Sequence, residues 1–294
     1  MSAPPATLSG QIVAAYGRHY LVESPQGEFV RAVPRGKQST AACGDRVRML
    51  RTGRGEAVIE AHEPRSTLFF RAAQHRRKLI AANATQVALI TAGEPSLADE
   101  LVCRVLVAAE AQSMRALIVL NKTDLAAPTE VARDRLAPFG RAGYPVLEMS
   151  AKRGVEPLRL RLQGESTVLI GQSGMGKSTI VNGLVPEADA ATQEISRFLD
   201  SGRHTTTATR LYRLDGASTI IDSPGVQEFG LALLAPDAIE GGFPELRPLL
   251  GACRFNDCRH RTEPGCAVRA AVAAGTVDAR RLELLHRILD AGSR

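Results

Sequence analysis

A glycine-rich turn closed by a lysine and a hydroxyl residue is built to hold phosphate, and residues 171–178 spell one. Gly171, Gln172, Ser173, Gly174, Met175, Gly176, Lys177 and Ser178 fit the pattern G-x-x-x-x-G-K-[ST], with Thr179 directly after it. The glycines let backbone N–H groups converge on phosphate oxygens, Lys177 would neutralise the β- and γ-phosphates, and the Ser178 hydroxyl would complete a Mg2+ shell. The apolar run 167–170 before the turn and the helical pattern 179–184 after it predict a strand–loop–helix unit. The chain has 32 arginines but only five lysines (Lys37, Lys78, Lys122, Lys152 and Lys177), three of them in nucleotide motifs. A compact ammonium on a flexible stem suits a phosphate cradle, where the guanidinium fork is no substitute.

A phosphate loop does not choose its base; Asn121, Lys122, Thr123 and Asp124 do, following the apolar run 117–120. The Asp124 carboxylate can accept both the ring N1–H and the exocyclic amine of guanine, a donor pair that adenine lacks, so a buried acceptor here penalises ATP. Asn121 would brace the loop and Lys122 would lie along the base. Ser150, Ala151 and Lys152, again at a strand end, offer the Ala151 N–H to guanine O6. Asp222, Ser223, Pro224 and Gly225 form a D-x-x-G element, in which Asp222 reaches Mg2+ through water and the Gly225 N–H reaches the γ-phosphate. Between this element and the phosphate loop lie Gly202, Arg203, His204, Thr205, Thr206 and Thr207, of which Thr207 is expected to close over Mg2+. Ordinary small GTPases place a glutamine directly after D-x-x-G to orient the attacking water. Here Val226 stands in that place and cannot hydrogen-bond water, so intrinsic hydrolysis is expected to be slow. His204 and Gln227 are the rival side chains for that task, and a partner that completes the site is the natural expectation.

The order of these motifs is unusual. The phosphate loop normally comes first, yet here the N-K-x-D and S-A-K elements precede it. Every strand-end loop keeps its place if the chain break has moved and the old termini join through residues 154–166, so a circular permutation is the economical reading. A second centre follows: Cys253, Cys258, His260 and Cys266, spaced C-x4-C-x-H-x5-C, offer three sulfurs and one imidazole. That donor set suits closed, tetrahedral, structural Zn2+. Arg254, Arg259 and Arg261 would be displayed beside it, while the isolated Cys43 and Cys103 read as small core residues.

The elements that must carry these residues follow from pattern. Apolar runs at 87–91, 117–120, 146–149, 168–170 and 219–221 alternate with stretches of helical length, which predicts an α/β fold with a mostly parallel sheet. Residues 8–60 are β-branched runs broken by glycine, the texture of a small β-barrel. Residues 277–288 read as a closing amphipathic helix. The expected division is a barrel over 1–64, a basic linker over 65–84, a nucleotide domain over 85–242 and a zinc-binding helical domain over 243–294.

The 294 residues are 44% hydrophobic and 23% charged, which excludes a wholly disordered or fibrous chain. No apolar run reaches the roughly 18–20 residues of a membrane helix, and MSAPPATLSG has neither the basic start nor the apolar stretch of a secretory signal, so a cytoplasmic protein with no membrane partner is expected. Residues 1–80 hold 13 basic against 6 acidic residues, and the remainder 24 against 25, so the whole surplus is N-terminal. Such a block points to a polyanion, most often nucleic acid. Arg18, His19, Tyr20, Arg31, Arg35, Lys37, Arg46 and Arg48 are the barrel's candidates. With aromatics at 4%, phosphate contacts are expected to outweigh base reading.

The permuted order, the strings GQSGMGKST, GRHTTT and DSPGVQEFGL, the basic barrel before them and the Cys/His cluster after them together resemble the ribosome small-subunit-dependent GTPases of the RsgA type. The resemblance covers roughly residues 8–290. It implies an OB-fold barrel, a permuted GTPase domain, a C-terminal zinc domain whose ligands fall on Cys253, Cys258, His260 and Cys266, and a role in late maturation of the small ribosomal subunit. The partners implied are that subunit with its rRNA, and GTP and GDP, for a monomeric protein. Two readings stay open beside it: an RNA-binding assembly factor in which GTP hydrolysis is incidental, and a GTPase acting on another RNA such as tRNA.

Overall fold

The computed structural model describes residues 7–36, 41–73, 76–186, 188 and 208–292. The chain opens with β1 (Thr7–Tyr16), β2 (His19–Glu23), β3 (Phe29–Pro34), β4 (Arg46–Gly53) and β5 (Glu56–His62). Buried and exposed positions alternate along β3, β4 and β5, as expected of strands with one face on a core. Pairing runs β1–β2–β3–β5–β4 and returns from β4 to β1, which closes an OB-like barrel around Ile12, Val22, Val30, Val47 and Met49.

A hairpin of β6 (Leu68–Ala73) and β7 (Arg76–Ala82) comes next. The segment expected to be a basic linker is thus largely strand. Its apolar side is anchored: Phe69 is fully buried with its ring 5.5 Å from that of Phe229, and Ala72 N donates to Gly230 O at 2.8 Å. Arg76, Arg77 and Lys78 stay exposed.

The second half is built from β8 (Gln86–Ala92), α1 (Asp99–Glu110), β9 (Arg115–Asn121), α2 (Ala126–Arg141), β10 (Val146–Glu148), α3 (Glu156–Leu162), β11 (Ser166–Gly171), α4 (Lys177–Leu184), β12 (Thr209–Arg213) and β13 (Thr219–Asp222). Strand order is β10–β9–β8–β11–β13–β12, parallel except for β12. All seven residues of β8 are buried, the pattern of a central strand covered on both faces. Val87 and Leu89 face a core shared with α1 and α2; Ala88 and Ile90 face one shared with α3 and α4. The helix α3 lies in the 154–166 stretch, where the permutation requires the join between the edge strand β10 and the central strand β11.

Barrel and parallel sheet are one hydrogen-bonded surface. The long strand β1 gives residues 7–11 to β4 and then, past a bulge between Ile12 and Ala14, pairs Ala14 and Ala15 with Arg210 and Thr209 of β12. Arg210 Nε donates to Tyr16 Oη at 2.9 Å, and Asp45, wholly buried, takes Arg65 Nε and Nη2 at 2.7 Å each.

The described C-terminal residues carry the α-helices α5 (Pro236–Gly241), α6 (Ala267–Ala273) and α7 (Ala279–Gly292), with a 3-10 turn at Arg247–Leu249 between α5 and α6. Val268, Val277, Leu282, Leu285 and Ile288 join the core that covers α1 and α2. The fully buried Arg281 locks this contact, its guanidinium 4.5 Å from the Phe243 ring centroid, 4.8 Å from that of Phe139 and paired with Glu245 at 2.6 Å. Among the described residues no helix is long and apolar enough to cross a membrane.

Candidate functional site

The loops that leave the carboxyl ends of β8, β9, β10, β11 and β13 meet at one edge of the sheet, the place where open α/β sheets bind ligands. The loop after β11 carries 171–176 and passes into α4 through Gly176, whose φ of +89° belongs to the left-handed region that glycine adopts without strain. A Cβ at Gly176 would lie 2.4 Å from Asn121 Nδ2, so only glycine lets the loop wrap so closely on that side chain. Ser173, Gly174, Ser178 and Thr179 are exposed and Gln172 is half-buried, whereas the Met175 side chain is buried in the core beside Ile180 and Val181. Met175 therefore serves the loop through its backbone alone.

Asn121 is 2% exposed and ties three loops together. Its Nδ2 donates to Met175 O at 2.9 Å and its Oδ1 accepts from Ala151 N at 2.9 Å. The Ala151 N–H expected to face guanine O6 is thus already donated to Asn121. Asp124 accepts from Ser150 Oγ at 2.6 Å, with Lys152 Nζ at 3.8 Å. The Ser150 hydroxyl, then the Lys152 and Arg153 charges, hold its carboxyl below the usual carboxylate range. Lys122, at φ +64°, donates Nζ to Glu94 O at 2.8 Å, and Pro95 lies beside Gly174. That Glu94–Pro95 loop, from the end of β8, has no residue pattern that marks it in sequence.

On the other side of the phosphate loop the Lys177 ammonium meets the Asp222 carboxylate. Val226 N donates to Gly171 O at 3.1 Å, and a Cβ on Gly225 would stand 3.4 Å from Ser173 N, so the D-x-x-G loop lies against the phosphate loop. The Val226 side chain is 5% exposed and belongs to the core; Gln227 is exposed. His204 and Thr207 lie outside the described residues, as does Lys37 of the barrel candidates. Tyr20, expected on the nucleic-acid face, is instead 1% exposed with its hydroxyl on Ala41 O, because β2 turns it into the barrel core. Arg46 and Arg48 do sit on the outside of β4.

The Cys/His cluster passes a geometric test. Zinc bonds of about 2.3 Å to sulfur and about 2.0–2.1 Å to nitrogen at tetrahedral angles put two sulfurs about 3.8 Å apart and a sulfur and a nitrogen about 3.6 Å apart. Cys253 and Cys266 sulfurs are 3.8 Å apart, and His260 Nδ1 is 3.6, 3.5 and 3.3 Å from Cys253, Cys258 and Cys266. All four donor atoms lie within 4.8 Å of one another. Glu263 shapes the adjoining turn by accepting from the N–H groups of Arg259, Arg261 and Thr262, which lowers its carboxyl to about 2. Cys43 and Cys103 are buried, as expected of small core residues.

Fold and loops define a P-loop GTPase whose elements follow one another in circularly permuted order, with a barrel before them and a zinc-type cluster behind. The chain belongs to the RsgA GTPase family, whose sequence model matches residues 62–232. It is 51% identical over 289 residues to a protein of Nitrosospira multiformis, covering 98% of this chain and 92% of that one. To a Nitrosomonas europaea protein it is 49% identical over 286 residues, 96% and 91% of the two chains. Both relatives bear the name small ribosomal subunit biogenesis GTPase RsgA. The fold is similar to the crystal structure of YjeQ from Thermotoga maritima, at TM-score 0.71, 26% identity and coverage of 97% of this chain and 99% of that one. It is also similar to YloQ, described as a circularly permuted GTPase, at TM-score 0.68, 22% identity and coverage of 97% and 96%.

Proposed function

We propose that this protein is a Mg2+-dependent GTP hydrolase that binds the small ribosomal subunit in its GTP state, acts in late maturation of that subunit, and leaves after the subunit stimulates hydrolysis. The observation that carries the nucleotide half is Asn121, one side chain bonded at once to the phosphate loop and to the S-A-K loop, beside an Asp124 whose carboxylate accepts from the Ser150 hydroxyl. The names of the curated relatives support the ribosomal half.

In this reading the N–H groups of 171–176 and Lys177 hold the phosphates. Ser178 and Thr207 meet Mg2+, Asp222 reaches it through water, and the Gly225 N–H meets the γ-phosphate. Asp124 takes the N1–H and amine of guanine, Lys122 and Lys152 flank the base, and the Ala151 N–H is shared between Asn121 Oδ1 and guanine O6. Val226 is turned into the core, so we assign the orienting of water to His204, with the exposed Gln227 as its rival, once the subunit has completed the site. Ordering of switch segments by the γ-phosphate and their release on hydrolysis then time departure.

We assign residues 1–64 to RNA contact, 65–84 to the hairpin segment, 85–242 to the GTPase unit and 243–294 to a module built on one structural zinc ion, in a monomeric cytoplasmic protein. Co-sedimentation with purified small subunits tests the assignment. The protein is expected to pellet with them in a non-hydrolysable GTP analogue and to stay largely in solution in GDP. Equal binding in both states, or displacement by excess tRNA, contradicts it.

A further inference from the structure

The side of the zinc-type cluster away from the sulfurs holds a carboxylate that the metal motif does not contain. We infer that Glu240 of α5 is the outer-shell partner of the ligand His260, and that through it metal loading clamps the C-terminal module onto the GTPase unit; this rests on the zinc reading above. His260 turns Nδ1 to the three sulfurs, and its backbone takes φ +60°, a left-handed conformation uncommon for a side-chain-bearing residue, to do so. A neutral imidazole that gives Nδ1 to a metal keeps its proton on Nε2, and that N–H needs an acceptor when buried. His260 is 4% exposed, and Glu240 Oε2 stands 3.8 Å from Nε2. Among the described residues Glu240 is the acidic side chain within ion-pair reach of that nitrogen, and is itself only 14% exposed.

The carboxylate comes from outside the knuckle. Ile239 of α5 is in the core, and a Cβ on Gly242, just after α5, would fall 2.8 Å from Val107 Cγ1, so the end of α5 lies directly on α1. Arg247 reinforces this by donating Nε to Gly241 O at 2.7 Å and pairing with Glu110 of α1 at 2.6 Å. The ligand is therefore oriented by a group fixed to the GTPase unit, while α7 docks beside it through Arg281. Because a docked Glu240 favours the metal-bound imidazole, zinc must by linkage favour docking to the same extent.

The test uses full-length wild type, Glu240→Ala and Glu240→Gln. Competition against a chromophoric zinc chelator is expected to give one zinc per chain in each, with affinity about 10- to 100-fold lower in Glu240→Ala and less reduced in Glu240→Gln, which keeps an oxygen acceptor facing Nε2. Melting temperature separates this from a merely structural role: the variants should melt lower than wild type only when zinc is loaded, not after chelation. Hydrogen exchange across 279–292 should slow on zinc loading in wild type and slow less in Glu240→Ala. Wild-type zinc affinity in both variants overturns the inference alone. A wild type that takes up no zinc overturns the zinc reading and the inference with it.

Discussion

Replacing Asn121 by alanine removes two hydrogen bonds at the centre of the proposed site, leaving the carbonyl of Met175 without its partner and the N–H of Ala151 with guanine O6 as its one acceptor in the nucleotide complex. A buried polar group stripped of its partner costs about 1–3 kcal/mol and a lost bond whose donor keeps another acceptor about 0.5–1.5 kcal/mol, so the pair sets an upper bound of about 4–5 kcal/mol. The loops border an open site, where Ser173, Gly174 and Ser178 are exposed, so water recovers part of that loss. About 2–3 kcal/mol should remain as the cost of ordering the phosphate and S-A-K loops without their shared brace. That corresponds to a dissociation constant for GDP roughly 30- to 150-fold higher. Equilibrium titration with a fluorescent GDP, alongside a urea melt, separates lost affinity from lost stability. Asn121→Asp should be no better, since it keeps the acceptor for Ala151 but sets a carboxylate against the Met175 carbonyl. Affinity within about threefold of wild type, with the melt unchanged, would refute the view that Asn121 joins the two loops.

Asp124→Asn exchanges an acceptor for a donor and should move preference from guanine to xanthine nucleotides; an unchanged GTP-over-XTP ratio in competition assays would remove Asp124 from base recognition. Val226→Gln should leave intrinsic GTP hydrolysis no faster, because the side chain at 226 points into the core beside buried neighbours, and should lower stability by about 1–3 kcal/mol by burying an amide; a faster single-turnover rate counts against this geometry. Arg281→Ala leaves the Glu245 carboxylate without its partner and opens a gap among Phe139, Tyr144 and Phe243, for a loss of about 3–5 kcal/mol by urea unfolding. Arg281→Lys should recover little of it, since an ammonium cannot reproduce the planar fork stacked on those rings; a loss under about 1 kcal/mol in the alanine variant would show the cluster to be dispensable.

Strand-end motifs were the legible part of the site, because each pairs an apolar run with a glycine or acid at the point where the chain must turn. The buried strands at 87–91, 117–120, 168–170 and 219–221 were legible for the same reason: continuous apolar runs have few other fates. Other features were not. The strand β12 reads TRLYR, too short and too polar at its ends to announce itself, and its pairing with β1 joins residues almost two hundred positions apart. The hairpin at 68–82 is masked by Arg71, Arg76, Arg77 and Lys78, whose charges pull the reading toward a linker although Phe69, Ile80 and Ala81 are core residues. Tyr20 stands in sequence beside basic neighbours as a nucleic-acid candidate, but β2 puts it inside the barrel. Arg281 and Glu240 carry no local pattern at all. Each gains its role only from side chains brought to it by the fold.

In the proposed function, a nucleotide site with Val226 where small GTPases carry glutamine waits for a ribosomal partner to complete it. The most direct measurement of this dependence is GTP hydrolysis by the purified protein alone and with purified small subunits, large subunits or tRNA, with ATP as the control nucleotide. Slow turnover alone and strong stimulation by small subunits only is the result expected from a buried Val226 and a subunit-dependent site. Rapid hydrolysis without a partner, or equal stimulation by large subunits or tRNA, would contradict it.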